Sequence, residues 1–416
     1  MRKRLICLLL LLPLSTFLAW GQSLQELEQE LDALRAKEKV VLGKIEQVKL
    51  KDVHSDLMAN GLPALKEGED LIEHKALALV YSERHEQAKW VAHVILPDII
   101  DGKTARSNDF REDPLVKTGT AVESDYFLKT EKADGTFDYD GFGYDRGHLA
   151  PSADFRWSPT ALSESYFYSN MSPQLPEFNR EIWADLEGKI RGYIFRNPKS
   201  TLYVVTGPLL SQDLPHIERG MNKVAIPDHF FKVVIDKENG RGIGFILPHK
   251  GPYEPLHKYA VTIDAVEQRT GIDFYQALED GLESKVEAQK NVEDWLPGEM
   301  AGDVNPINPP DLPPKHFNTK QAKFYMDRSD KITVCGTVVS SRVSRKGNIL
   351  MNLDKKFPDQ IFTVFIRKEF ISNFGYDPEK AWDGKVIAVT GKVANLGGTP
   401  AMFIEKETQL KEFAGR

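Results

Sequence analysis

The sequence predicts an α+β protein: a mixed-sheet domain over residues 56–285, a small C-terminal β-barrel over 331–416 and a helix over 22–55. Three observations carry this. Short runs of β-branched and aromatic residues alternate with helix-period segments between Leu71 and Asp280. Five short apolar runs then crowd into residues 331–411, the pattern of a small Greek-key barrel. Between them, Pro297, Pro306, Pro309, Pro310, Pro313 and Pro314, with Gly298 and Gly302, mark a linker over 286–330. The composition, 41% hydrophobic and 28% charged, is ordinary for a globular protein, and 416 residues suit two or three domains.

Residues 1–21 read as a signal peptide. Arg2-Lys3-Arg4 precedes the apolar run Leu5–Leu12, and Ala19-Trp20-Gly21 offers small residues at a cleavage site. The expected location is therefore outside the cytoplasm, periplasmic or secreted, with no membrane contact after cleavage. An uncleaved anchor is the alternative, against which the run is short and interrupted by Pro13 and Ser15. Cys7 leaves with that peptide, so Cys335 remains alone and no internal disulfide can form. Cys335 lies in a Val/Thr-rich run and reads as a buried strand residue.

The helix over 22–55 carries a heptad stripe. Leu24, Leu31 and Ile45 fall at one position and Leu27, Leu34, Val41 and Val48 at another, with Glu38 interrupting. This admits a coiled-coil homodimer, and equally a short amphipathic helix packed on its own domain. In the middle domain, Leu77–Tyr81, Trp90–Ile95, Thr201–Val205 and Phe230–Ile235 read as strands. A helix is expected from Thr262 as N-cap to Gly271 as stop. His85, His93, His229 and His249 show no zinc spacing. In the last domain, strands are expected at Lys331–Val339, Asn348–Leu353, Gln360–Ile366, Lys385–Val393 and Pro400–Ile404, with a helix near Arg367–Phe374.

The chemistry concentrates between Tyr144 and Glu187. Asp145-Arg146-Gly147-His148 opens the stretch and Asn179-x-x-x-Trp183-x-x-Leu186-Glu187 closes it. Cutting a phosphodiester requires a base for water, a cation for charge growing on phosphorus, and help for the leaving oxygen. Histidine, with an ordinary pKa of about 6.5, is a natural base. A hard divalent metal takes oxygen ligands and needs few protein groups, which suits an Asn carbonyl and a nearby Glu. Arginine grips phosphate in bidentate fashion. Pro176 suits a first helical turn, after which Asn179, Trp183, Leu186 and Ile190 share one face, with Asn179 at the N-terminal end where phosphate is favoured. Tyr166–Asn170 reads as a short strand before it. Each residue also has a plain structural reading: His148 in a turn or core, Asn179 as a cap, Arg146 and Glu187 as a solvated ion pair.

These residues closely resemble the DNA/RNA non-specific endonucleases, the ββα-metal nucleases. The resemblance extends to the Arg106–Pro114 segment, Val205-Thr-Gly-Pro208, Asn222–Lys232 and Asp264–Phe274, covering roughly residues 75–280. It implies a ββα-metal fold and a hydrolase. It also implies His148 as general base, Asn179 as the direct ligand of Mg²⁺ or Mn²⁺, and Glu187 holding water on that metal. Arg146 and Arg106 would contact phosphate, with Arg111 as the neighbouring alternative to Arg106, and Asp145 would support. One departure is the stretch Thr118–Phe137, which looks like a lengthened hairpin.

The last domain resembles an OB-fold module, on its Gly-x-Val starts, Asn352-Leu-Asp354 and the Gly391-Lys-Val strand. Residues 331–416 hold 14 basic and 9 acidic residues, a net of +5, while residues 22–330 carry about −15. An acidic domain needs local rather than diffuse attraction for phosphate. The basic barrel is the candidate for holding DNA or RNA, with Phe357, Phe362 and Phe365 as stacking candidates. The rival reading is a non-catalytic nucleic-acid-binding or scaffolding protein that uses the barrel and the coiled coil; a toxin-like nuclease with a protein inhibitor is a third.

Overall fold

A computed structural model describes residues 23–102, 104–135, 137–139, 143–326, 328–396 and 398–413. The expected signal peptide lies outside them. The chain divides into two units, residues 1–49 and 50–416. Helix α1 (Leu24–Asn60) runs through the boundary. In the first unit the heptad residues Leu24, Leu27, Leu31, Leu34, Val41, Ile45 and Val48 are all exposed. In the second unit the last turns of α1 bury Leu50, Val53 and Leu57, and Tyr203 donates its hydroxyl to Asp56.

Among its described residues the second unit contains two seven-stranded sheets, each with its own core, and two two-stranded ribbons. Strands β1 (Leu71–Glu73), β2 (Leu77–Ser82) and β3 (Gln87–Ile95) begin the first sheet. A separate ribbon, β4 (Asp145–His148) with β5 (Met171–Gln174), carries the Asp-Arg-Gly-His motif. Helix α2 (Ala184–Arg196) follows, then β6 (Leu202–Pro208), β7 (His229–Asp236), β8 (Arg241–Pro248) and β9 (Ala260–Val261). The sheet order is β1-β2-β3-β6-β7-β8-β9. All of its pairings are antiparallel, where the sequence read a mixed sheet. Its central strands β6 and β7 are buried on both faces, as their near-continuous Val/Ile/Phe runs require.

Helix α3 (Ile263–Thr270) is bounded as its sequence dictates. Thr262 accepts a hydrogen bond from the Ala265 amide at 3.1 Å, and Gly271 closes the helix at φ 65°. Helix α4 (Asp280–Glu287) comes next. Past it, Trp295 is buried and stacks on Tyr193 with ring centroids 4.4 Å apart, so the proline-bearing stretch begins inside the first core.

The second sheet holds β10 (His316–Asn318), β11 (Lys331–Val343), β12 (Ile349–Leu353), β13 (Thr363–Ile366), β14 (Val386–Leu396), β15 (Thr399–Ile404) and β16 (Leu410–Glu412). Strand β11 pairs with both β12 and β14, which closes the sheet into a barrel. Cys335 is buried in β11. The helix expected near Arg367–Phe374 is a 3₁₀ turn, Lys368–Asn373. The barrel is fastened to α2: Asp359 pairs with Lys189 at 2.8 Å and with Arg196 at 3.8 Å, and Phe357 meets Phe195 edge-on.

Candidate active site

The two motifs meet where the β4–β5 ribbon lies beside the start of α2. Gly147 faces Gln174 so closely that a Cβ would sit 2.1 Å from its Cδ, which explains the glycine in the motif. The stretch Tyr166–Asn170 is no strand. It forms a 3₁₀ turn, Tyr168–Asn170, because the Asn170 side chain satisfies the backbone on both sides. Its Oδ1 accepts from the Ala150 amide, and its Nδ2 donates to the carbonyls of Ala150 and Ser165. This turn puts Tyr166 edge-on against His148, with centroids 4.9 Å apart, while Phe110 covers the imidazole at 5.7 Å.

His148 Nε2 is buried with no hydrogen-bond partner among the described residues. Burial, then the charges of Arg106 and Arg146, push the imidazole down to about 3. It is therefore neutral at any physiological pH, the form a base requires.

Asn179 reaches the site through an irregular turn. Phe178–Trp183 is a π-helical segment leading into α2. In a π turn, side chains five apart stack, and Phe178 lies on Trp183 with centroids 5.2 Å apart. The buried stripe thus runs from Phe178 to Trp183, not from Asn179 as a regular helix would have it. Asn179 is turned out of the core. Its Nδ2 donates to Asp145 Oδ2 at 2.9 Å, and Arg180 clamps the same carboxylate through Nε at 2.8 Å and Nη2 at 2.6 Å. With its amide nitrogen so held, Oδ1 is the atom left to accept a cation.

Glu187, one turn into α2, is half-buried. Burial holds its carboxyl up at about 7, against the pull of Arg191, Lys232 and Arg106. Behind it lies a charged network that sequence reasoning missed. Arg191 is 4.0 Å from Glu187 and 2.9 Å from Asp154, and Asp154 pairs with His93 at 2.9 Å. Lys232, pushed down to about 8 by burial, donates to Thr206 and lies over the Trp183 ring. Only the i,i+4 spacing of Glu187 and Arg191 signalled any of this in the sequence.

The arginines divide. Arg106 is exposed, and its charge is felt by both His148 and Glu187. Arg111 is bound to Asp109 and Ser163, away from this role. Arg146 lies between the Phe110 and Phe127 rings and pairs with Glu123 at 3.0 Å. Glu123 belongs to the lengthened segment, which forms a helical turn and then a hairpin, Lys129–Glu131 with Phe137–Tyr139.

An amide carbonyl oxygen and a half-buried carboxylate are the kind of oxygen donors that a hard divalent cation takes. The residues fit such an ion. In the barrel, Phe362 is fully buried in the core, which removes it from the stacking candidates. Phe357 is exposed, and Phe365 lies against Phe403 at 5.0 Å.

Residues 54–281 match the family model of the DNA/RNA non-specific endonucleases. The human protein "Endonuclease G, mitochondrial" is 34% identical over 53% of this chain and 73% of its own length. "Nuclease C1" of Cunninghamella echinulata is 32% identical over 50% of this chain and 84% of its own. The "Mitochondrial nuclease" of Saccharomyces cerevisiae is 30% identical over 50% and 66%. The mitochondrial names overturn the periplasmic or secreted location read from residues 1–21. A basic cluster beside a short apolar run is too generic a signal to separate one targeting route from another. By family match and identity, the chain belongs to the DNA/RNA non-specific endonucleases and is a hydrolase of nucleic acid.

Proposed function

We propose that this chain is a divalent-metal-dependent, sequence-non-specific endonuclease that hydrolyses phosphodiester bonds of DNA, RNA or both. One observation supports this most strongly. Asp145 and His148 sit at the two ends of the four-residue β4, about 10 Å apart along a strand, and Asp145 holds Asn179. Base and metal ligand are thereby joined through one short strand.

His148, neutral and walled by Phe110 and Tyr166, takes a proton from the water that attacks phosphorus in line. With Nε2 buried, Nδ1 is the nitrogen left to meet that water. Asn179 and Glu187 would hold the divalent ion, Mg²⁺ or Mn²⁺. Such an ion would supply neutralisation of the charge that builds up on the phosphoryl group, and breaking the bond from phosphorus to the 3′ oxygen leaves a 5′-phosphate end. Asp145 fixes the orientation of the Asn179 amide. Arg106 contacts phosphate, and Arg146 contacts it once Glu123 releases the guanidinium.

The barrel supplies a second contact with substrate. Arg342, Leu350, Phe365 and Phe403 lie in register across β11, β12, β13 and β15. Arg367 lies 5.4 Å from the Phe403 ring. A row of half-exposed aromatics flanked by guanidinium groups suits stacked bases of a single strand. The exposed heptad residues of α1 suit a second copy of the chain, and truncation before residue 50 abolishes the dimer on this reading.

The test is incubation of the chain with plasmid and with RNA, with Mg²⁺ or with EDTA, beside His148→Ala. Cleavage in Mg²⁺ that drops at least about 100-fold in His148→Ala is expected. Metal-independent binding without cleavage would favour the scaffolding protein instead.

A further inference from the structure

A second cluster of oxygen ligands lies on the opposite end of the first sheet's strand order from β1, on helices α3 and α4. Asp264 and Glu267 project from α3 and Glu287 ends α4; one carboxylate oxygen of each lies within 4.8 Å of the others. Two further carboxylates, Asp273 and Glu283, act electrostatically on Glu287 and Glu267. The strongest charges acting on Glu287 are all carboxylates.

Glu287 is the unexpected member. It is only 7% exposed, and its Oε1 has no hydrogen-bond partner among the described residues. An unpaired oxygen of a buried carboxylate costs free energy unless a proton or a cation serves it. The cost is not accidental slack in the fold. Strand β8 draws both helices in through Gly242, where a Cβ would lie 2.3 Å from the Val286 carbonyl and 3.2 Å from Ile263. Glu287 also stands in the last turn of α4, where the helix dipole adds negative potential. Burial and the surrounding carboxylates hold its carboxyl up at about 8.

We propose that Asp264, Glu267 and Glu287 form a calcium-class cation site, distinct from the catalytic centre, that ties α4 to α3. Calcium takes oxygen ligands at 2.3–2.6 Å, so ligands on opposite sides of one ion stand about 4.8 Å apart. The three oxygens, all within 4.8 Å of one another, lie within the reach of a single Ca²⁺. Glu267 has one oxygen committed to the Phe274 amide at 2.7 Å and offers the other. The site clamps the segment that leads from the nuclease sheet toward the buried Trp295.

The experiment measures Ca²⁺ binding by equilibrium dialysis on the full chain carrying Asn179→Ala, which removes the catalytic ligand. One Ca²⁺ per chain is expected. Adding Glu287→Gln, or the exposed-site change Asp264→Asn, lowers the affinity at least about tenfold, while each change alone leaves Mg²⁺-dependent cleavage at the wild-type rate. Thermal melting gives a second reading: Ca²⁺ raises the Tm of Asn179→Ala and not that of the double variants. No Ca²⁺ bound by Asn179→Ala, or equal binding in all three proteins, overturns the proposal. An Asn179→Ala chain whose Tm Ca²⁺ leaves unmoved, while Glu287→Gln melts higher in EDTA, overturns the proposal and identifies the cluster instead as a protonated carboxyl in a repulsive group.

Discussion

Replacing Glu187 with Gln changes how the fold answers pH, and the size follows from where the carboxyl sits. Burial holds Glu187 at about 7 rather than the ordinary 4.5. Between those values the folded chain keeps a proton that the unfolded chain has released. The stabilising contribution is therefore complete below 4.5 and is lost as pH rises through 7. At about 1.4 kcal/mol per pH unit, the loss is about 3 kcal/mol. His148 acts in the opposite sense. Its folded value is depressed to about 3, so its contribution is complete above about 6.5 and is lost as pH falls. Glu287 adds to the trend of Glu187, so the wild-type profile alone is a mixture. The difference between wild type and Glu187→Gln isolates one group. Urea denaturation in EDTA at about pH 4 and about pH 8 measures it. Relative to the variant, wild type loses about 3 kcal/mol between the two. Mg²⁺ at the higher pH recovers most of the loss, since a cation then stands in for the proton. A wild-type-minus-variant difference that stays flat with pH would refute the burial argument.

Asp145→Ala releases the Asn179 amide and weakens apparent Mg²⁺ affinity by about 10- to 100-fold, while turnover at saturating metal falls much less; a metal titration of cleavage separates the two. Phe178→Ala removes the ring that the π turn stacks on Trp183 and costs about 3–5 kcal/mol in denaturant unfolding, with Phe178→Leu recovering much of it. Asp359→Ala cuts the ion pairs between barrel and α2 and costs about 1 kcal/mol, with plasmid cleavage unchanged.

Much of the first sheet was legible because its strands are continuous apolar runs bounded by turn residues. Helix α3 was legible almost to the residue, since Thr262 and Gly271 are local signals that act on their own backbone. The Asp-Arg-Gly-His and Asn-x-x-x-Trp motifs named their residues through resemblance, and the ribbon and helix that carry them lie side by side. What failed to read was nonlocal or irregular. The Tyr166–Asn170 turn depends on one Asn side chain reaching Ala150. The π segment shifts the phase of the helix by one residue, which no 3.6-residue template anticipates. Phe362 and Phe365 look alike in a strand of alternating residues, and only the barrel's closure decided which face is core.

The sequence by itself determined the residue types of the site, the helix caps and the strand runs, because those depend on neighbours along the chain. The tertiary structure decided the charge states and the available atoms. Burial beside Phe110 and Tyr166 keeps His148 neutral, Asp145 frees one oxygen of Asn179, and Glu123 occupies Arg146. It also brought Glu287 against Asp264 and Glu267, residues at least twenty positions away, through a glycine that lets α4 meet β8. Desolvation and Coulomb energy depend on distance in space and not in sequence, so these properties exist only once the chain has folded.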